Sequence, residues 1–136
     1  MREWTGGMHR TERNTETNGI TQKIIGCVYR VSNTLGAGFL EKVYENALAI
    51  ELDQSGLRVE QQLPIRVLYK GHVVGGFAAD LLVEERVIVE LKAARTLDEV
   101  HAAQCVNYLR ALNLKVCLLV NFGRSRAVIK RIVRDY

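Results

Sequence analysis

Hydrophobic residues recur along this chain in two rhythms, one suited to helices and one to strands. From Ile20, the positions Ile20, Ile24, Val28, Val31 and Leu35 return at three- and four-residue intervals, which draws one apolar stripe down a helix. Asn18 stands where the N-cap of that helix is expected. Gly36-Ala37-Gly38 breaks the chain, and a second helix is predicted over residues 39–54. Its apolar set is Phe39, Leu40, Val43, Tyr44, Ala47, Leu48 and Leu52, and Gly56 is its expected left-handed stop. The period then shortens. Strand segments over residues 57–63 and 65–69 flank Pro64, which marks a bulge or a strand edge. Lys70-Gly71 makes a turn, and residues 73–83 form the next strand, past the flexible Gly75-Gly76 pair. In residues 87–92 the run Val87-Ile88-Val89 is apolar on both faces, so this third strand is central. Thr96-Leu97-Asp98-Glu99 resembles a capping box for a third helix reaching Leu112. Residues 114–121 and 127–134 read as the last two strands. The order α-α-β-β-β-α-β-β, with no internal repeat and no long linker, predicts an α/β or α+β domain around one mixed sheet.

Composition narrows the class. Residues 1–18 are rich in Thr, Asn, Gly, Glu and Arg, with few large apolar side chains beyond Trp4 and Met8. Such a segment buries too little surface to offset its ordering, so a mobile arm is expected there and a single domain over residues 19–136. The chain is 48% hydrophobic and 25% charged, as a soluble globular domain is. No apolar run approaches the roughly 18–20 residues of a membrane span, and no signal-like apolar segment opens the chain. The expectation is an intracellular, cytoplasmic protein with no membrane partner. Cys27, Cys105 and Cys117 stand isolated inside apolar segments and read as buried small hydrophobes, because their spacing fits neither a disulfide framework nor a zinc site. His9, His72 and His101 have no ligand spacing and read as surface residues. The net charge of +4 permits a nucleic-acid partner without requiring one.

Residues 77–92, F-A-A-D-L-L-V-E-E-R-V-I-V-E-L-K, carry the candidate chemistry. Two apolar runs are separated by Glu84-Glu85-Arg86, and each carries ionisable groups where a buried strand ordinarily has none. Alternation puts Ile88, Glu90 and Lys92 on one face and Leu91 on the other. An antiparallel pairing through the Glu84-Glu85 turn brings Asp80 near Glu90 and Lys92. Two carboxylates and a backbone carbonyl suffice as the protein share of a Mg²⁺ shell. A lysine beside them can hold or deprotonate the attacking water and screen charge on a phosphate, which is equipment for metal-assisted phosphodiester hydrolysis. An internal Asp80–Lys92 or Glu90–Lys92 ion pair is the plainer alternative. Glu41, Tyr44, Glu45 and Leu48 share one helical stripe, which sets a carboxylate beside the buried face near the positive end of the helix dipole.

Gly38-Phe39-Leu40-Glu41-Lys42-Val43-Tyr44 resembles the G-x-x-E-x-x-Y signature of the GxxExxY proteins, small members of the PD-(D/E)XK nuclease superfamily. The resemblance continues through residues 77–83, Ile88-Val89-Glu90-Leu91-Lys92 and Gln104-Cys105-Val106-Asn107-Tyr108. It implies a restriction-endonuclease-like αβββαβ core, a mixed central sheet flanked by helices. It also implies Asp80, Glu90 and the Leu91 carbonyl as metal ligands, Lys92 as the catalytic lysine, and Glu41 as the helix acid, with Glu45 its alternative. Gln104 and Tyr108 resemble the Gln-x-x-x-Tyr element of RecB-like branches; Tyr44 and Tyr108 also read as core aromatics with paired hydroxyls. Ala79 stands where the superfamily name has Pro. The implied cofactor is Mg²⁺, or Mn²⁺, and the implied partner is nucleic acid, with DNA expected. Arg95, Arg124, Arg126, Lys130 and Arg131, with Arg110 and Arg134, are candidates for the phosphate path. A non-catalytic nucleic-acid-binding or protein-interaction module on the same scaffold is the rival reading, and a homodimer or protein partner is compatible with either.

Overall fold

A computed structural model describes residues 6–134, with side chains from residue 15 onward. Its elements are α1 (Gly6–Leu35), α2 (Glu41–Gln54), β1 (Val59–Tyr69), β2 (His72–Val83), β3 (Val87–Lys92), α3 (Glu99–Leu112), β4 (Val116–Asn121) and β5 (Val128–Val133). The five strands form one sheet in chain order, antiparallel except for the parallel β3–β4 pair. Helices α1 and α2 pack on one face and α3 on the other. Alternation along the central strands feeds both layers: Val87, Val89 and Leu91 join Ile24, Val28, Tyr44 and Leu48, while Ile88 joins Cys105 and Leu109. The α/β (α+β) class, the mixed sheet and the central place of β3 are as the sequence predicts.

Several local expectations change. Helix α1 begins at Gly6, so Asn18 is an interior position and not an N-cap, and residues 6–18 are helical in place of the expected arm; residues 1–5 lie outside the described residues. Polar contacts hold this extension to the domain: Glu16 pairs with Arg86 at 3.4 Å, and Asn18 Oδ1 accepts from Arg131 Nη2 at 2.9 Å. Helix α2 starts at Glu41, leaving Phe39, Leu40 and Val43 exposed, so its core face is Tyr44, Leu48 and Leu52. Gly56, at φ 85°, ends it as expected, with Leu57 N donating to Leu52 O and Gly56 N to Asp53 O. Pro64 lies within a continuous β1, which tolerates it as an edge strand. The cap of α3 is Asp98, not Thr96: its Oδ1 accepts from Val100 N and His101 N, and Asp98 N donates to His101 Nδ1. All three cysteines are buried and free. Among the described residues no helix is long and apolar enough to cross a membrane.

Leu118 is fully buried in the central layer, whereas Leu68 on the outer half of the β1–β2 hairpin is 59% exposed. Leu118→Ala is expected to destabilise by about 3 kcal/mol and Leu68→Ala by less than about 0.5 kcal/mol, read as denaturation midpoints at constant m.

Candidate active site

The β2–β3 ladder runs from Val83↔Val87 to Leu81↔Val89. One position further, Asp80 and Glu90 face each other, and here the side chains take over the pairing. Glu90 Oε2 accepts from Asp80 N at 2.7 Å, and Asp80 Oδ2 accepts from Leu91 N at 2.8 Å. The strands fork at this point, and the fork is filled by two carboxylates. Lys92 follows on the Glu90 face at the end of β3, half-buried. The sequence-predicted trio Asp80, Glu90 and Lys92 is thus brought together.

Burial dominates the electrostatics. Glu90 is only 4% exposed, and desolvation, then the neighbouring Asp80 charge, push its carboxyl up to about 8 from an ordinary 4.5; the bond from Asp80 N and the Lys92 charge act the other way. Asp80 is also raised by burial, against the bond from Leu91 N. Among the described residues no donor reaches Glu90 Oε1, although the group is buried.

Two acids arrive from α2. Glu41, in its first turn, is exposed and accepts from Ala93 N at 3.3 Å, just beyond Lys92, and its charge is felt at Glu90. Glu45 is buried and accepts from Lys42 Nζ, Gln61 Nε2 and Gln62 Nε2, the last at 2.7 Å. Gln62 Nε2 also lies 3.3 Å from Asp80 Oδ1, so it bridges Glu45 to the fork. Gln62 has φ 54°, a left-handed backbone that interrupts strand alternation and lets two sequence neighbours reach the same carboxylate. Gln61 and Gln62 were not singled out by sequence reasoning. The usable signal is register: Gln61↔Leu81 and Leu63↔Ala79 set Gln62 opposite Asp80.

Tyr108 on α3 is buried, stacks on Phe77 at 4.7 Å, and has its hydroxyl pushed up to about 12 by burial, then by the Glu90 and Asp80 charges. Gln104, one turn earlier, is exposed on the same helix. Tyr44 is a core aromatic with a paired hydroxyl, donating to Gly36 O at 2.6 Å and stacking on Phe122 at 4.5 Å. Past Lys92, Asn121 clamps the loop: its Oδ1 accepts from Ala94 N and Gly123 N, and its Nδ2 donates to Ala94 O. Gly123 permits the close approach, since a Cβ there would collide with the backbone of Ala94. Arg95 and Arg124 line one cleft of about 700 Å³ beside this clamp. Arg126 instead lies over the Tyr29 ring at 4.9 Å, and Arg131 bonds to Asn18 and Thr21 on α1. Lys130 points to the opposite face of β5 from Arg131.

A family model described as the PD-(D/E)XK nuclease superfamily matches residues 18–132. The chain belongs to that superfamily. PD-(D/E)XK nucleases generally use divalent metal ions, and the carboxylate fork with its lysine falls within the matched span. The chain is similar in fold to the crystal structure of SSO0001, with TM-score 0.53 and 16% identity over 70% of this chain and 50% of that one. It is similar also to an alkaline exonuclease, LHK-Exo, from Laribacter hongkongensis, with TM-score 0.52 and 17% identity over 69% of this chain and 56% of the other. The chain therefore spans about half the length of these two structures, and at such identities the likeness is one of PD-(D/E)XK fold. No curated protein sequence matches it.

Because Glu90 is raised on folding, the native state holds a proton the unfolded chain releases. The resulting stability is fully present below about pH 4.5 and is lost as pH climbs through about 8. Metal-free protein is expected to lose thermal stability over that window. Glu90→Gln should flatten the dependence and raise Tm at pH 8 by roughly 5 °C; scanning calorimetry in EDTA across pH 5–8 checks it.

Proposed function

We propose that this PD-(D/E)XK domain is a Mg²⁺-dependent nuclease, with Mn²⁺ able to substitute, that hydrolyses phosphodiester bonds of DNA. The carrying observation is the fork: two facing carboxylates, one buried with an oxygen that no donor among the described residues reaches, beside a lysine at the same strand end. Among the described residues no three His, Cys, Asp or Glu side chains are arranged to hold a metal, and Mg²⁺ needs none, since one or two carboxylates with a carbonyl and waters satisfy it. The donor set fits: hard oxygens from Asp80, Glu90 and the Leu91 carbonyl, whose pair stays fully ionised at neutral pH only when a cation compensates it. Such an ion would supply charge neutralisation at the phosphate and a more acidic water.

The chain's own groups do the rest. Lys92 holds the attacking water and balances the charge that grows on the phosphate oxygens. Glu41, held at the edge of the fork by Ala93 N, adds its negative charge to that of the two carboxylates, with Glu45 acting through Gln62 on Asp80. Gln104 and Tyr108 support the site from α3, and Arg95 and Arg124 receive the flanking phosphate. Arg126, over the Tyr29 ring, and Lys130 and Arg131, on opposite faces of β5, add positive charge on more than one face of the domain and do not continue the phosphate path as one surface. The GxxExxY assignment and the RecB-like branch belong to the same reading, supported by the position of Glu41 and of the Gln104–Tyr108 pair.

Purified protein with Mg²⁺ or Mn²⁺ is expected to degrade linear or single-stranded DNA, and Lys92→Ala to reduce the rate by about 100-fold or more while leaving Tm unchanged within a few degrees. Gel assays on linear, nicked and single-stranded DNA and on RNA decide it. Intact substrates with wild type and Lys92→Ala alike contradict the nuclease reading and favour a non-catalytic binding module.

A further inference from the structure

The β1–β2 hairpin outruns the strands it joins. It is paired from Val59↔Val83 to Tyr69↔His72, whereas the β2–β3 ladder stops at Leu81↔Val89, so its outer half stands beyond the centre of the sheet. The two-residue Lys70-Gly71 turn that closes it has positive φ at both positions, 50° and 80°, as a tight hairpin of matching twist requires. Between this outer half and α3 lies a groove of about 670 Å³. Its floor is the stacked pair Phe77 and Tyr108, and its walls carry Gln104, Asn107, Arg66 and Arg110. Among the described residues no acidic side chain lines it.

Three features select an occupant. Phe77 keeps 36% of its surface exposed, and Arg66 and Arg110 are exposed as well, so the floor is aromatic and the rim cationic. Glu90 follows Ile88 on the face of β3 that packs against α3, and Tyr108 of α3 lines the groove, so groove and fork lie on the same face of the sheet. Gln104 and Asn107, both exposed, offer amide donors and acceptors of the kind that pair with base edges. An aromatic surface inside a cationic groove binds nucleic acid whose base faces are free, whereas a duplex hides those faces in its own stack.

We propose that this groove is the base-binding subsite for an unpaired strand of DNA, which it delivers to Asp80, Glu90 and Lys92. The inference rests on the nuclease reading for the direction of delivery, and its test does not depend on cleavage. Fluorescence anisotropy in EDTA, with a labelled oligo(dT) and a duplex of equal length, separates the two. Wild type is expected to prefer the single strand. Phe77→Ala should weaken single-strand binding by about 10-fold with duplex binding unchanged, and Phe77→Trp should retain it. Arg66→Ala should weaken it and lower the salt slope by roughly 0.7. Unchanged single-strand affinity in a folded Phe77→Ala protein, or an equal loss on both ligands, overturns the proposal. Should Phe77→Ala fail to fold, Arg66→Ala at its exposed position decides alone: single-strand affinity unchanged overturns the subsite. Single-strand binding lost in these variants, without any cleavage by wild type in Mg²⁺, supports the groove and contradicts the nuclease reading. Cleavage by wild type together with unaltered binding in the variants contradicts the groove only.

Discussion

At the point where β2 leaves β3, backbone hydrogen bonding stops and two carboxylates take its place. Everything else at this end of the molecule depends on that substitution. Asp80 receives Leu91 N, and Asp80 N is received by Glu90, so each acid is fixed in position by the main chain of the opposite strand. The same bonds hold like charges close together in a buried place, at a cost that appears in the raised protonation of Glu90. Neutral amide side chains could accept from the same two backbone donors without holding like charges together in a buried place, so stability alone does not call for two acids here. The layers on both sides of β3 make the fork rigid: Val89 and Leu91 are held by α1 and α2, and Ile88 by α3.

Around the fork, supports come from separate elements. Glu45 lies at the buried side of α2, and Gln62 spans from it to Asp80, at the cost of a left-handed backbone in a residue other than glycine. Glu41 sits instead at the helix N-terminus, open to solvent, against Ala93 N. These two acids differ in kind: one is buried in the scaffold that orients Asp80, and the other stands exposed at the edge of the fork. Asn121 serves the far side, tying Ala94 and Gly123 together so that Arg95 and Arg124 share a cleft.

Much of this was legible in the residues. Alternation over 87–92 placed Glu90 and Lys92 on one face because a strand has a strict period of two, and the apolar run around them marked β3 as covered on both sides. The order of elements followed from periodicity and from glycine punctuation such as Gly56. Other features leave no such trace. The left-handed turn at Gln62 occurs in an ordinary residue, so nothing in composition marks it. Asp98 displaced Thr96 as the α3 cap because its carboxylate reaches two backbone donors at once. The polar start of α1 has no apolar stripe to advertise it, and its contacts with Arg86 and Arg131 lie far away in sequence.

The central claim is that the fork is a metal platform and not a buried ion cluster. Diffraction from crystals soaked in Mn²⁺, collected for anomalous signal, tests it most directly. The account predicts a peak between Asp80 and Glu90, with oxygens of both and of Leu91 at roughly 2.0–2.2 Å. A map with no peak there, and with the Asp80–Leu91 and Glu90–Asp80 bonds unchanged, would contradict it.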